Sequence, residues 1–414
     1  MSYQYVMSGL SFILPTIDVY NSDEFKDISH RALDYMQKVE DGHSFGVLFN
    51  AYKEKRIGKR IWGSYENDIP IYADSGGLQM ITLGEKAGDK EKAEVYAVQG
   101  EYSHFGMSFD EIPLDTNQGS GVNDTGSRFF NYDIFPEKAR QTGENLKKQI
   151  TYFLEHGKSC RPFLIAHGNS IPHYREWVYR VLDVVGPDLA QHIGGLALGS
   201  ASLGFGELED FTRAYVLSTL DIPKHIKDHV HILGVGASLR LLPMLAFQQQ
   251  GLISYDSTSH SSADSFFQYQ LRHARVSYKN GRASRMEDIL DDCEMHLSNL
   301  GLDFDRSEMR EFNMKLRSEI NFTPESRIRY DTFKFLVGLF NVANFMGQIA
   351  DLQKDNRLII DLFGEKYYHA FESFKNVKDE QDFNVWKATV GRSLISKSVR
   401  NKNNVTSLRS LFGE

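Results

Sequence analysis

Over the first 260 or so residues, short apolar runs alternate with longer stretches of helical periodicity, and nearly every run stops on a small or polar cluster. Candidate strands are Ser44–Asn50, Pro70–Ala73, His104–Phe109, Pro162–Ala166, His192–Leu198, His229–Val235 and Leu252–Tyr255. Between them, Pro136–His156 opens on a first-turn proline and closes on Gly157, and Ile171–Val185 closes on Gly186-Pro187. Glu207–Leu220 and Ser238–Gln250 follow, the latter stopped by Gly251. Strands alternating with helices require right-handed crossovers and a parallel sheet, and seven or eight units are too many for a small doubly wound sheet. The pattern therefore predicts a TIM-like (β/α)8 barrel. Residues 1–280 form the barrel domain in this reading. Residues 281–414 form a C-terminal helical region that packs on the barrel and closes it, with helices at Met286–Leu300, Glu308–Ile320, Asp331–Gln353 and Arg357–Phe374 and a loop at Asn321–Ser326.

In such a barrel the carboxyl ends of the strands share one face, where active sites sit. The clusters Asp74-Ser75-Gly76-Gly77, Asp110-Glu111, His167-Gly168-Asn169, Gly194-Gly195, Gly234-Val235-Gly236 and Asp256-Ser257-Thr258 are candidates for that face. Glycines and polar residues also mark ordinary turns. Asp74 has an Asx turn open to it, Asp256 and Asp110 could cap the turns that follow them, and Gly194-Gly195 could serve packing alone. Two carboxylates at different strand ends would suit cleavage of a glycosidic bond. One stabilises or captures the cationic sugar carbon, and the other protonates the leaving group.

Composition narrows the setting. A net charge of −8 argues against a uniformly basic nucleic-acid coat but leaves room for a local basic groove. Cys160 and Cys293, the two cysteines, cannot form a disulfide framework and fit a reducing compartment. The segment Tyr5–Ile17, interrupted by Ser8, Gly9, Ser11 and Pro15, reads as strand or loop rather than a signal peptide. No run of about 18 apolar residues suggests a membrane span. Cytoplasmic placement, without a membrane, is the expectation.

Tyr72-Ala73-Asp74-Ser75-Gly76-Gly77-Leu78-Gln79 resembles the Asp-Ser-Gly-Gly-aromatic-Gln signature of the tRNA-guanine transglycosylases. Further segments resemble that family in the same order: Phe109-Asp110-Glu111, Leu164–Gly168, Gly194-Gly195-Leu196-Ala197-Leu198-Gly199, and Leu233-Gly234-Val235-Gly236 followed by Tyr255-Asp256. The resemblance spans about residues 40–260 and, more weakly, 325–355. It implies that Asp256 attacks the anomeric carbon and that Asp74 is the general acid and base. It further implies that Asp110 accepts hydrogen bonds from the guanine edge and that the backbone at Gly194, Gly195 and Leu196 contacts the base. Ser75, Gly76, Gly77, Gln79, His167 and Leu233 would line the pocket.

The chain departs from the family at several places. Leu78 replaces an aromatic that stacks on the base, Leu233 replaces a methionine, and His167 replaces a glutamine that reads the base. The family's structural zinc site has three cysteines and a histidine, but here only Cys293 follows the barrel motifs and Phe340 stands where the histidine would be. Cys293 and His296 alone do not make a site, so neither zinc nor a cofactor is expected. Loss of the zinc subdomain points to the DpdA-type branch, which inserts 7-deazaguanine bases into DNA in phages and bacteria. The expected partners are then DNA and a free 7-deazaguanine base such as 7-cyano-7-deazaguanine (preQ0). A zinc-free tRNA enzyme, or a non-catalytic nucleic-acid-binding subunit, is the alternative. Phosphate contacts are expected from Lys53, Lys55, Arg56, Lys59 and Arg60, and from Arg272, Arg275, Lys279, Arg282 and Arg285, although each could equally belong to a solvated face.

Overall fold

The computed structural model of the chain describes residues 2–77, 87–113, 133–199, 207–246, 251–258, 269–272, 286–315 and 323–394. Its strands are β1 (Ser2–Met7), β2 (His43–Asn50), β3 (Ile71–Asp74), β4 (Phe105–Met107), β5 (Arg161–Ala166), β6 (Gly195–Leu198), β7 (His229–Ile232) and β8 (Leu252–Ser257). All eight pair in parallel, in sequence order, and β8 returns to β1 with Val6 opposite Asp256. The fold is a TIM-like (β/α)8 barrel with an added helical layer.

Alternation along each strand assigns its two faces. Tyr3, Tyr5, Phe45, Phe49, Leu164 and Leu196 point outward to the helices, while Val6, Leu48, Tyr72, Phe163, Ile165 and Ala197 fill the barrel. Both faces are covered, which is why the strands read as nearly continuous apolar runs. Strand β4 is only three residues long, and side chains complete its edges. The Gln99 amide donates to the carbonyls of Ala73 at 3.1 Å and Met107 at 2.8 Å, and Gln149 holds the Gln99 oxygen at 2.7 Å.

The outer helices begin with α1 (Asp23–Lys38), capped by Ser22, whose hydroxyl accepts from the Phe25 amide at 3.2 Å. Then come α2 (Lys55–Tyr65), α3 (Asp89–Tyr102), α4 (Phe135–Glu155), α5 (Ile171–Val185), α6 (Glu207–Thr219) and the short α7 (Leu242–Ala246). Beyond β8 lie α8 (Met286–Asn299), α9 (Arg306–Lys315), α10 (Pro324–Lys354), α11 (Leu358–Phe363), α12 (Glu365–Phe374) and α13 (Glu380–Trp386). The predicted Arg357–Phe374 helix is two helices, broken where Gly364 takes a φ of 98°. The expected loop at Asn321–Ser326 is instead, from Thr323 on, the start of α10. Thr323 caps it by accepting from the Ser326 amide at 3.2 Å, and Pro324 takes the first turn.

Helix α10 closes the ring. Phe345 meets Tyr5 and Tyr255 across the β1–β8 seam with ring centroids 5.7 and 5.8 Å apart, and Phe335 packs on Phe25 of α1. Each such fully buried aromatic contributes about 1.5–3 kcal/mol by transfer from water. By length and composition this helix could cross a bilayer, but 94% of its apolar window is buried inside the protein, so it is a core helix. Phe333, Phe335, Leu336, Leu339, Phe345 and Met346, expected to stabilise this layer by packing, are all buried. Cys293 is buried too. Phe340 stacks on the His296 ring at 4.7 Å, and the two His296 nitrogens face the Tyr35 hydroxyl at 2.7 Å and the Asn344 oxygen at 3.3 Å. Among the described residues, no group of three His, Cys, Asp or Glu side chains is arranged to hold a metal.

Candidate active site

A cavity of about 640 Å³ opens at the carboxyl ends of the strands, and all eight contribute to its wall. Ser8 follows β1, Asn50 ends β2, Asp74 ends β3 and Asp110 follows β4. His167 and Gly199 follow β5 and β6, Leu233 and Gly234 follow β7, and Asp256 lies in β8.

The carboxylates of Asp74, Asp110 and Asp256 thus face one partly open cavity, which is costly unless protons or partners compensate. Asp74 shows the consequence. Burial, and then the charges of Asp110 and Asp256, raise its carboxyl from 3.8 to about 7, although the Gly76 and Ser75 amides oppose the rise. The Gly76 amide donates to Asp74 Oδ2 at 3.3 Å. Asp110 is held differently, with His167 Nε2 at 2.7 Å from Oδ2 and the Ser75 hydroxyl at 3.5 Å from Oδ1. On the Asp256 carboxylate, Oδ1 accepts from the Gly234 amide at 2.9 Å, a bond that a φ of 74° at Gly234 makes possible.

The glycines after Asp74 serve space as well as conformation. Gly76 has a φ of 83°, and a Cβ there would lie 2.8 Å from the Tyr52 Cβ. A Cβ on Gly77 would lie 2.6 Å from Asp110 Oδ1, so Gly77 lets that carboxylate sit against the β3 turn. Neighbouring Glu111 turns away into ion pairs with Lys92 at 2.8 Å and Lys138 at 3.1 Å.

Of the sequence-predicted residues, the structure brings Asp74, Asp110, His167, Leu233 and Asp256 to the cavity, with Ser75, Gly76 and Gly77 supporting them from behind. Gly194, Gly195 and Leu196 are a correction. They lie at or before the start of β6, the end away from the cavity, because the strand runs on to Leu198. A Cβ on Gly195 would meet the His229 carbonyl at 2.4 Å, and one on Gly194 would meet Arg161 at 2.6 Å, so both glycines serve packing. The Leu196 side chain faces the helices, and the glycine after β6 that reaches the cavity is Gly199. The apolar run Leu196–Leu198 was the signal, since the strand end follows it rather than preceding it.

Arg272 is a second correction. Its guanidinium pairs with Asp351 at 2.7 Å and with Glu40, so this cation ties the chain to α10 instead of offering itself to phosphate. Gly347 of α10 makes room, because a Cβ there would stand 2.8 Å from the guanidinium. Lys55 and Arg56 are exposed at the start of α2, and Lys53 lines the cavity. Arg60 instead stacks over Tyr20 at 3.8 Å. Leu78, Gln79, Arg275, Lys279, Arg282 and Arg285 lie outside the described residues.

Asn50, Glu54 and the half-exposed Phe12 also line the cavity and were not singled out by sequence. Asn50 carried the same signal as Asp74, a polar residue ending an apolar run. Its Oδ1 accepts from the Tyr52 and Lys53 amides, both at 3.0 Å, and so shapes the turn beneath Gly76.

No protein-family model and no curated protein matches the chain.

Proposed function

We propose that the protein exchanges guanine in DNA for a 7-deazaguanine base by double displacement. The observation that carries this reading is the pair Asp74 and Asp256, held by β3 and β8 on one cavity, with Asp74 raised to about 7. Two carboxyl groups with different environments are what an acid–nucleophile division of labour needs. In the first step Asp256 Oδ attacks the anomeric carbon. The C1′–N9 bond breaks with its electron pair on the base, and the Asp74 proton moves to the departing guanine. The ester that remains holds the sugar on Asp256. In the second step the incoming base gives its ring proton to the Asp74 carboxylate and attacks the same carbon, releasing Asp256 with the original stereochemistry. Asp110, an acceptor on the wall and fixed by His167, suits the N–H edge of a guanine-like base.

The cavity volume falls within the range for small-ligand sites, about 300–1,000 Å³, and would take a base flipped out of its stack. DNA is favoured over tRNA because Phe340, buried and stacked on His296, stands where the resembling tRNA enzymes carry a zinc-binding histidine, and Cys293 is the one cysteine after the barrel motifs. Side-by-side incubation of labelled preQ0 with DNA and with tRNA tests the reading. Label entering DNA, lost in Asp256→Ala together with any covalent adduct, is the expected result. Label in tRNA alone overturns the choice of DNA, and exchange that survives Asp256→Ala overturns the nucleophile.

A further inference from the structure

Inside the barrel a chain of polar side chains leads from β1 to Asp256, in a space otherwise filled by apolar residues. The Gln4 amide donates to the Ser44 hydroxyl at 3.0 Å, which leaves its oxygen for the Tyr72 hydroxyl. Tyr72 lies 2.9 Å from His229 Nε2, which is also 3.1 Å from Ser254 Oγ. Ser254 Oγ lies 2.9 Å from His231 Nδ1, and His231 Nε2 lies 3.4 Å from Asp256 Oδ1. His231 is fully buried, stacks on Tyr72 at 5.6 Å, and its Nε2 makes no well-aligned hydrogen bond.

The proton positions follow link by link. Burial keeps the Tyr72 phenol protonated, and its hydrogen is committed to Gln4. His229 is neutral, its imidazole lowered to about 3 by burial and by the neighbouring His231 and Arg161. A hydrogen on its Nε2, shared between the Tyr72 oxygen at 2.9 Å and Ser254 Oγ at 3.1 Å, satisfies both contacts, whereas a bare Nε2 would set two lone pairs against each other at Tyr72, which has no hydrogen left to give. Ser254 can accept that hydrogen and donate its own to His231 Nδ1 at 2.9 Å, a closer acceptor than the Val230 carbonyl at 3.4 Å. The one remaining place for the His231 hydrogen is Nε2, beside Asp256.

We infer that His231 is a positioning residue for Asp256, held by the Gln4–Tyr72–His229–Ser254 chain in the Nε2–H tautomer and donating to Oδ1. The inference rests on the proposed function only for the importance of Asp256. With the Gly234 amide, His231 places two donors on Oδ1 and leaves Oδ2 as the attacking atom. The contact is 3.4 Å, and the inference requires it to shorten when the cavity is filled, as contacts at reactive carboxylates do on substrate binding.

Selective ¹⁵N labelling of histidine reads the tautomer directly, without any activity. A protonated Nε2 and a bare Nδ1 on His231 are expected, and an Nδ1–H form overturns the inference. In base exchange on DNA, His231→Phe keeps the ring stack and should lower kcat about 100-fold with KM little changed, because misplaced reacting atoms cost about that much. His231→Gln restores a donor and should recover about tenfold of that loss on the same argument. A folded His231→Phe with the kcat of the wild type overturns the inference. If that variant does not fold, Ser254→Ala carries the test, since loss of one hydroxyl should release the tautomer and lower kcat. Absence of exchange by the wild-type protein would instead refute the proposed function and leave the ¹⁵N result to decide the hydrogen bond.

Discussion

Replacing Asp74 by Asn keeps the shape of the side chain and removes its titration. In an unfolded chain this carboxyl titrates at 3.8, and in the folded protein at about 7. The native state therefore holds a proton that the unfolded state has already released between those values. Native-state proton binding makes stability fall as pH rises. The fold is best served by Asp74 below pH 4, loses stability up to about pH 7, and loses no more above it. A rise of about three pH units corresponds to about 4 kcal/mol. Asp74 faces an open cavity whose water screens part of that cost, so about 2 kcal/mol is the expected size. Denaturant unfolding of both proteins from pH 4 to pH 8 measures it. The advantage of Asp74→Asn over the wild type should be near zero at pH 4, grow to about 2 kcal/mol by about pH 7 and stay at that value above it. Asp110→Asn or Asp256→Asn, each removing one charge that presses on Asp74, should move the wild-type slope to lower pH. A constant difference between Asp74→Asn and wild type over the whole range would refute the claim that Asp74 is the raised acid.

Three further outcomes are expected. Formation of the covalent sugar adduct should slow as pH rises through about 7, where Asp74 loses its proton, and Asp74→Asn should abolish that limb and cost about 100-fold or more; single-turnover rates against pH decide it. Gly77→Ala puts a methyl 2.6 Å from Asp110 Oδ1, so base affinity measured by calorimetry should drop while overpacking costs the fold about 1–3 kcal/mol. Arg272→Met leaves Glu40 and Asp351 without their cation and should cost about 3–5 kcal/mol in denaturant unfolding. It should leave the salt dependence of DNA binding unchanged, whereas Lys55→Glu with Arg56→Glu should flatten that dependence.

Legibility in the sequence followed where the signal was local. An apolar run that stops on a charged or polar residue is a local pattern, and it was enough to group Asp74, Asp110, His167 and Asp256 on the face where the cavity opens. Strand β1 was harder, because Ser8 and Gly9 interrupt the run soon after Met7. The Gly194-Gly195 pair misled because a glycine pair looks the same whether it makes room for a ligand or for the Phe163 ring. Only the register of β6 separates those cases, and register depends on neighbouring strands. Arg272 and His231 were illegible for the same physical reason. Their partners Glu40, Asp351 and Asp256 are distant in the chain, and a charged or imidazole side chain does not announce what it will meet.

The short stretch Tyr269–Arg272 is held on all sides. Tyr269 bonds Asp292, the Gln270 amide donates to Asn341, its carbonyl accepts from Asn344, Gln348 donates to the Arg272 carbonyl, and Arg272 reaches Asp351 and Glu40. This stretch is a staple, and it divides the chain between β8 and α8 into two spans with independently fixed ends. A change of chain length on either side of Tyr269–Arg272 therefore meets a fixed point before it reaches the helical layer.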